Sequence, residues 1–317
     1  MPLRVAVIGV GYLGRHHARI LSTLPGVELT AVVDINRKRA DEIAATHGTR
    51  ALYDARDVQG IVDAVTIAVP TGLHAQIALP LLAAGVPVLV EKPMAASLEQ
   101  ADAMIAAAAQ AGVPLAVGHT ERFNPAIEAA RRMLTAPRFI EVHRLGTFPE
   151  RSLDIDVVFD LMIHDLDVVL SLVGSDVESI DAVGVPVLTG RVDIANARLR
   201  FANGCIANLT ASRISRDRVR KIRFFQPSAY LSIDYAAQKL EVWRLVRDDG
   251  APPSIQGGDV AVANEEPLVR ELADFVDAVV SRRAPVVAGE DGRRALALAQ
   301  QITDTMNATA KTTPEHA

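Results

Sequence analysis

In the first 120 residues, short apolar runs alternate with stretches whose apolar positions recur at helical spacing. Such runs are typical of strands that are buried on both faces of a sheet. The predicted strands are 3–9, 28–34, 63–69, 86–91 and 113–118, and the predicted helices are 12–24, 37–47, 73–84 and 97–111. Because strands alternate with helices, the pattern predicts right-handed crossovers and a parallel sheet.

After residue 120 consecutive strand-like runs predict an antiparallel sheet with a few helices. Asn203-Gly204 predicts a two-residue hairpin turn, and the Gly, Pro and Asp residues of 248–260 predict a surface loop. The predicted strands are 138–146, 177–188, 192–201, 204–213, 219–225, 228–234 and 239–247, the predicted helices are 125–134, 156–173, 266–281 and 291–308, and residues 310–317 are expected to fray. We therefore expect an α/β protein with two domains, residues 1–120 and residues 121–317.

Composition narrows the class of protein. The 317 residues carry a net charge of −5, so no basic excess favours nucleic acid. Cys205 is the single cysteine, which excludes a disulfide framework, and the histidines have no metal-ligand spacing. The N-terminus does not resemble a signal peptide, and no uncharged apolar run reaches the roughly 18–20 residues of a membrane span. We expect a cytoplasmic protein without a metal, a nucleic-acid partner or a membrane partner.

Three glycines between the first predicted strand and helix form the pattern Gly9-x-Gly11-x-x-Gly14. In this context the glycines permit a tight turn and a close approach of a dinucleotide pyrophosphate to the helix N-terminus. Asp34 ends the second strand, where a carboxylate can accept from the adenosine ribose hydroxyls and would repel a 2′-phosphate. We therefore expect NAD rather than NADP. The basic run 37–39 either softens that preference or is a solvated helix start, and a turn without a ligand is the remaining alternative.

Lys92 follows the predicted strand 86–91 and precedes Pro93. Because ligands of parallel sheets lie beyond the carboxyl ends of the strands, this lysine is directed towards the nicotinamide. Pro93 restricts Lys92 to extended geometry and can adopt the cis form. A lysine at this place can hydrogen-bond a reacting hydroxyl or relay a proton, whereas the ordinary explanation is a surface lysine.

Asp160 and His164 are four residues apart on the predicted helix 156–173, so they share one face with Asp167. An imidazole is suited to take an alcohol proton as hydride leaves, and Asp160 could orient it or bind a substrate hydroxyl. The alternative is that His164 is a structural residue of an apolar helix.

Basic residues concentrate in residues 213–223 of an otherwise acidic protein. Guanidinium groups suit the oxygens of a diphosphate, but the strand could equally be solvated or face another subunit. Other candidate anion contacts are Arg122, Arg144 and Arg151.

Taken together, these motifs resemble the Gfo/Idh/MocA oxidoreductases over nearly the whole length. Besides the glycine pattern, the resemblance rests on residues 68–74, 90–93, 160–167 and 289–292. The family implies that residues 1–120 form an NAD-binding Rossmann domain and that residues 121–317 form a substrate-binding and oligomerisation α/β domain. It further implies an open, mostly antiparallel sheet in a homodimer or homotetramer, and Lys92 and His164 beside the substrate. Met162 departs from the family, which often has glycine two residues before the histidine.

Residues 118–125 and 160–167 look like a branch of that family that acts on nucleotide sugars, including UDP-N-acetylglucosamine 3-dehydrogenases of lipid A synthesis. The resemblance implies hydride transfer from a sugar ring hydroxyl to NAD; the alternatives are an inositol or free-sugar dehydrogenase and a non-catalytic NAD-binding regulator. The expected catalytic residues are Lys92, His164 and Asp160. The expected cofactor contacts are Gly9, Gly11, Tyr12, Leu13, Gly14, Asp34, Arg37, Pro70, Thr71, His74, Glu91 and Lys92, and the expected substrate contacts are His119, Arg122, Phe123, Asn124, Arg151, Asp160 and His164.

Overall fold

The computed structural model describes residues 1–148, 155–247 and 252–312, without the side chains of 309–312. In chain order the elements are β1 (Leu3–Ile8), α1 (Gly14–Leu21), β2 (Val27–Val33), α2 (Arg37–His47), β3 (Arg50–Leu52), β4 (Ala64–Ile67), α3 (His74–Ala83), β5 (Val88–Glu91), α4 (Leu98–Ala111), β6 (Leu115–Gly118), α5 (Pro125–Arg131), β7 (Phe139–Leu145), α6 (Ile163–Val173), β8 (Val177–Val185), β9 (Ile194–Phe201), β10 (Ile206–Ser212), β11 (Val219–Gln226), β12 (Ala229–Asp234), β13 (Lys239–Val246), β14 (Ser254–Val260), α7 (Pro267–Ser281) and α8 (Gly289–Thr312). Short 3-10 turns at Ala55–Val58, Thr71–Leu73 and Thr120–Phe123 and a π-helical turn at Val158–Met162 complete them.

The chain divides into two compact units, and each of them is formed by two separate segments of the chain. The first unit comprises Met1–Thr120 and Glu266–Leu296, and the second comprises Glu121–Glu265 and Ala297–Ala317. The expected boundary after residue 120 coincides with the first division. Residues 266–296 were expected in the second domain but pack with the first unit instead.

A parallel six-stranded sheet organises the first unit, in the order β3-β2-β1-β4-β5-β6. The expected parallel sheet is confirmed, although the short strand β3 was not predicted because its three residues carry no apolar run. Its place beside β2 adds an edge strand to the sheet.

Helix α7 returns to the first unit because it carries an apolar stripe. Leu272, Phe275 and Val276 follow helical spacing and are buried in the same cluster as Ala18 and Leu21 of α1. Full burial of one such large side chain stabilises a fold by about 1.5–3 kcal/mol. This packing places α7 in the first unit, although the segment that precedes it in the chain belongs to the second.

The second unit contains an eight-stranded sheet in the order β14-β13-β12-β11-β7-β10-β9-β8. Strands β7 and β10 pair in parallel, and all the other neighbours pair antiparallel. The expected mostly antiparallel sheet is thus confirmed. In β9 every second residue from Ala195 to Phe201 is buried and the residues between them are exposed, so this strand has one covered and one exposed face.

Two local predictions differ from the structure. Residues 254–260 were expected in a surface loop but form β14, whose Gly257 fits because a Cβ there would lie 2.0 Å from the carbonyl oxygen of Val242. Its glycines and polar residues conceal the strand pattern, and residues 248–251 of the expected loop lie outside the described residues. The hairpin at Asn203-Gly204 exists, but Phe201 bonds to the carbonyl of Cys205, which leaves a three-residue loop with Gly204 at φ +81°.

Helix α8 continues to Thr312, so residues 310–312, expected to fray, are helical. Across the described ranges, each helix is too short or too polar to cross a bilayer.

Candidate active site

The glycine turn between β1 and α1 is shaped by two different requirements. A Cβ on Gly14 would lie 1.7 Å from the carbonyl oxygen of Gly9, and one on Gly9, where φ is +86°, would lie 2.6 Å from Val69 Cγ1. A Cβ on Gly11 would meet only a guanidinium nitrogen of Arg39, at 3.9 Å. Gly9 and Gly14 therefore serve the packing of the turn, whereas Gly11 leaves open space. The N–H groups of the first turn of a helix lack intrahelical partners, so this space suits a pyrophosphate.

Asp34 is held beside this turn by three hydrogen bonds. Its Oδ2 accepts from the backbone N–H of Val10 at 3.1 Å and from Arg39 at 3.3 Å, and its Oδ1 accepts from the backbone N–H of Asn36 at 2.9 Å. The carboxylate is 7% exposed and Arg39 is 47% exposed. A carboxylate fixed at the end of β2 beside an open glycine turn fits the adenosine ribose of a dinucleotide.

The other residues around the turn have separate positions. Arg37, the expected cofactor contact in the basic run, stacks on Tyr53 with 4.1 Å between the guanidinium and the ring centroid. Arg39, another member of that run, donates to Asp34, whereas only Arg37 was expected among the cofactor contacts. Tyr12 and Leu13, at the start of α1, are 55% and 40% exposed, and the Tyr12 ring packs against His16.

The ends of β4 and β5 are linked through His74. Its Nδ1 lies 3.0 Å from the carbonyl oxygen of Pro93, and its Nε2 lies 2.9 Å from that of Val69. Burial lowers the pKa of His74, so the neutral ring donates to one of these two carbonyls. The contact of His74 with the cofactor stays a prediction. Pro70 is exposed, and Thr71 begins the following 3-10 turn.

Lys92 lies at the carboxyl end of β5, and the Lys92–Pro93 peptide bond is cis, which confirms that expectation. The side chain of Lys92 is half-buried. The neighbouring Glu91 is directed inwards: its Oε1 lies 3.0 Å from His17 Nε2, and its Oε2 accepts from the backbone N–H of Lys92 at 3.2 Å. Burial alone would raise the pKa of Glu91, but the hydrogen bond with His17 and the nearby charges lower it.

Glu271 of α7 completes a buried cluster with His17 and Glu91. One potential ligand atom from each of the three lies within 4.8 Å of the others. No metal site was expected, and the sequence offers no spacing that would indicate this group. The 3.0 Å separation of His17 and Glu91 is that of a hydrogen bond.

In the second unit, Asp160 lies in the π-helical turn and His164 in the first turn of α6. The helix predicted at 156–173 is therefore present, but it passes from a π-helical turn to an α-helix between Asp160 and His164. Single π turns within helices are frequent at functional sites. Both side chains are half-buried, whereas Met162 is 1% exposed and packs into the core.

Two buried arginine–aspartate pairs fix the helix that carries His164. Arg122 donates to both oxygens of Asp167, at 2.7 and 3.1 Å, and Arg144 donates to both oxygens of Asp165, at 2.6 and 2.9 Å. Burial alone would lower the pKa of Arg144, but the charges of Asp165 and Glu121 raise it. Both arginines were expected as anion contacts. The structure pairs their charges with aspartates of α6, and their contact with a substrate anion stays a prediction.

The remaining expected substrate contacts are mostly buried. In the first unit His119 is 1% exposed. In the second, Phe123 is 8% exposed, and Asn124 caps α5 by accepting from the backbone N–H of Ala126 while donating to the carbonyl of Tyr235. Their roles in substrate binding stay predictions. Arg151 lies outside the described residues.

The basic stretch 213–223 divides into paired and unpaired cations. The paired members and their partners are Arg213 with Asp193, Lys221 with Asp234 and Arg223 with Glu141. Within the described ranges no ion pair involves Arg216, Arg218 or Arg220. Alternation along β11 places Arg220 on the same sheet face as the buried Ile222 and Phe224, and Arg223 on the opposite face.

Family models match both halves of the chain. Residues 3–119 match a family model described as an oxidoreductase family with an NAD-binding Rossmann fold, and residues 136–226 match the C-terminal domain model of the Gfo/Idh/MocA family. The UDP-N-acetylglucosamine 3-dehydrogenase of Acidithiobacillus ferrooxidans is 41% identical over 304 residues, which cover 95% of this chain and 96% of that enzyme.

A solved structure of that enzyme has a TM-score of 0.92 at 39% identity and covers 97% of this chain and 98% of its own. The scyllo-inositol 2-dehydrogenase (NAD(+)) of Bacillus subtilis is 30% identical over 233 residues, 67% of this chain and 68% of that enzyme. The fold, the glycine turn and these similarities define an NAD-binding oxidoreductase. The chain belongs to the Gfo/Idh/MocA family.

Proposed function

We propose that this protein is a dehydrogenase that oxidises the C3 hydroxyl of UDP-N-acetylglucosamine with NAD. The observation that carries the proposal is the 41% identity over 95% of the chain to a relative of that activity. An inositol or free-sugar dehydrogenase is the second candidate, because the relative that acts on scyllo-inositol is 30% identical over 67% of the chain. A non-catalytic regulator is disfavoured by membership in an oxidoreductase family.

In the proposed reaction Lys92 donates a hydrogen bond to the reacting hydroxyl, and His164 takes its proton. Asp160 orients the imidazole or binds a neighbouring hydroxyl of the sugar. As the proton leaves the oxygen, the carbinol carbon loses hydride and becomes a carbonyl. The bound nicotinamide supplies the hydride acceptor, so one NADH and one proton are produced for each sugar oxidised.

Asp34 supports NAD over NADP in this proposal. Its carboxylate accepts three hydrogen bonds at the end of β2, and a carboxylate at this place would repel a 2′-phosphate on the same ribose. Arg39 reduces that repulsion only in part because its guanidinium is bound to Asp34.

The reaction is tested by single turnover with NAD and UDP-N-acetylglucosamine, read as NADH formation. We expect NADH from this sugar and none from free N-acetylglucosamine or myo-inositol. Lys92→Ala should lower the rate constant of the chemical step at least about 100-fold, while the protein still binds NADH. If the folded, cofactor-bound protein oxidises inositol and leaves the nucleotide sugar unchanged, the assignment is wrong.

The unpaired cations of the basic stretch are the best candidates for the diphosphate of such a substrate. Arg220→Glu should raise the KM for UDP-N-acetylglucosamine about tenfold or more, since a charged hydrogen bond contributes about 1.5–3 kcal/mol. Arg132→Glu is the control, because Arg132 is an exposed arginine of the same unit at the end of α5. Equal effects of the two substitutions would exclude a specific contact of Arg220 with phosphate.

The exposed face of the eight-stranded sheet is proposed as the surface of a homodimer or homotetramer. Phe225 and Tyr230 stack there with 5.1 Å between ring centroids, and Trp243 and Ile255 are 42% and 73% exposed. Apolar side chains in such a patch favour association with a second copy. Light scattering after chromatography should show an oligomer that Trp243→Glu dissociates; a monomeric wild type would reject the proposal.

The family resemblance also supports a cytoplasmic enzyme in lipid A amino-sugar synthesis.

A further inference from the structure

We infer that His17 is a positioning residue for Lys92 and acts through the carboxylate of Glu91. The inference rests on the proposed role of Lys92 in hydride transfer. It concerns residues of the first unit alone, and its physical basis is a set of short contacts between α1, the end of β5 and the start of α3.

The first contact is between His17 and Glu91. His17 is fully buried on α1, and its Nε2 lies 3.0 Å from Glu91 Oε1. Its Nδ1 is buried without a hydrogen-bond partner, so the Nε2 contact is the polar anchor of this ring among the described residues. A buried carboxylate needs such a donor, because desolvation of its charge would otherwise be costly.

The second contact joins Glu91 to the backbone of Lys92. Glu91 Oε2 accepts from the N–H of Lys92 at 3.2 Å, so the two oxygens of one carboxylate hold His17 and Lys92 together. Gly118 provides the space for this carboxylate, since a Cβ there would lie 2.9 Å from Glu91 Cδ. The carboxylate is therefore confined to one position.

The following residue is held from the other side. The carbonyl oxygen of Pro93 lies 3.0 Å from His74 Nδ1. The backbone of Lys92 is thus fixed at its N–H by Glu91, and one residue later His74 donates to the carbonyl of Pro93 when its ring proton is on Nδ1. Loss of His17 removes the donor that orients Glu91 and leaves only the second of these supports.

The consequence is specific for the chemical step. Misplacement of a reacting group by about 1 Å can reduce a rate about 100-fold. We expect His17→Leu to lower kcat about 10- to 100-fold, with the KM for the sugar and the Kd for NADH changed less than about threefold. His17→Gln should retain most of the activity, because its amide N–H can replace the Nε2 donor. His47→Leu is the control, since His47 belongs to the same unit but contacts Ser22.

The route through Glu91 gives a second test. In a Glu91→Gln background, His17→Leu should cost much less than it does in the wild type, because contacting residues that act as one unit are not additive. Full additivity would place the effect of His17 elsewhere. A stoichiometric metal ion that is lost with His17→Leu would assign the cluster to metal binding and overturn the proposal.

A crystal structure of His17→Leu with NADH separates this inference from the proposed function. We expect the Lys92 side chain to be displaced by at least about 1 Å, or disordered, relative to the wild type. An unchanged Lys92 would reject the positioning role whatever the substrate is. If the wild type oxidises no sugar, the proposed function fails, and the position of Lys92 in the two crystals still decides the inference.

Discussion

Replacement of glycine by alanine can be tested at Gly14 and at Gly11 of the same turn, and we expect a large loss of stability at the first and a small loss at the second. Gly14→Ala adds a Cβ 1.7 Å from the carbonyl oxygen of Gly9, and ordinary contact requires about 3.4 Å or more. The turn and helix must separate by well over an ångström, which we expect to cost about 3 kcal/mol or more of unfolding free energy. Gly11→Ala adds a Cβ whose nearest neighbour is 3.9 Å away, so the protein without cofactor should lose less than about 1 kcal/mol.

Although Gly11→Ala should cost little stability, it should weaken the binding of NADH. The added methyl group at Gly11 occupies the space that we assign to the pyrophosphate, so we expect the Kd for NADH to increase at least about tenfold, or about 1.4 kcal/mol. Urea unfolding without cofactor and fluorescence titration with NADH measure the two quantities. If Gly11→Ala binds NADH as the wild type does, the cofactor does not approach this turn, and the reasoning from the open space is refuted.

The other predictions concern charge and burial. Arg122→Leu should lower the unfolding free energy by about 3–5 kcal/mol in urea, because it leaves a buried carboxylate unpaired; a loss below about 1 kcal/mol would contradict the buried pair. Asp34→Ala releases Arg39, so the ratio of NADPH to NADH affinity should rise in a binding titration, and an unchanged ratio would count against Asp34 as the selector. Burial alone would raise the pKa of Asp193, but the hydrogen bonds that it accepts lower it. The contribution of Asp193 to the unfolding free energy is therefore fully present above about pH 4 and is lost as the pH falls further. Asp193→Asn should make the urea midpoint decrease less steeply with falling pH than it does in the wild type. Burial raises the pKa of Cys205 to about 11, so a thiol reagent near neutral pH should modify it only on unfolding, and rapid modification of the native protein would be inconsistent with that burial.

Much of the fold could be predicted because local patterns agree with tertiary packing. The strands of the first sheet are buried on both faces and appear as continuous apolar runs. In β9 apolar and polar residues alternate, because one face of the strand is exposed. The strands β3 and β14 were missed for the opposite reason. They are short or rich in glycine and polar residues, and their pairing partners, not their composition, hold them in the sheets.

The candidate site was predictable only where its residues are close in sequence. The glycine turn, Asp34 and the Lys92-Pro93 bond could be expected from one strand–turn–helix unit and one strand end. The pairing of Arg122 with Asp167 could not be predicted, because an arginine that suits an anion suits an aspartate equally well, and the sequence does not show which of them is near.

By itself, the sequence determined the class of fold, the place of the dinucleotide turn and the type of chemistry, since each depends on a repeat or spacing that is local. The tertiary structure alone decided that α7 joins the first unit, that the arginines at 122 and 144 are neutralised by α6, and that His17, Glu91 and Glu271 form one buried cluster. These groups come from distant parts of the chain. Their charges are kept inside the protein because packing brings partners within hydrogen-bond distance, and no local pattern records that distance.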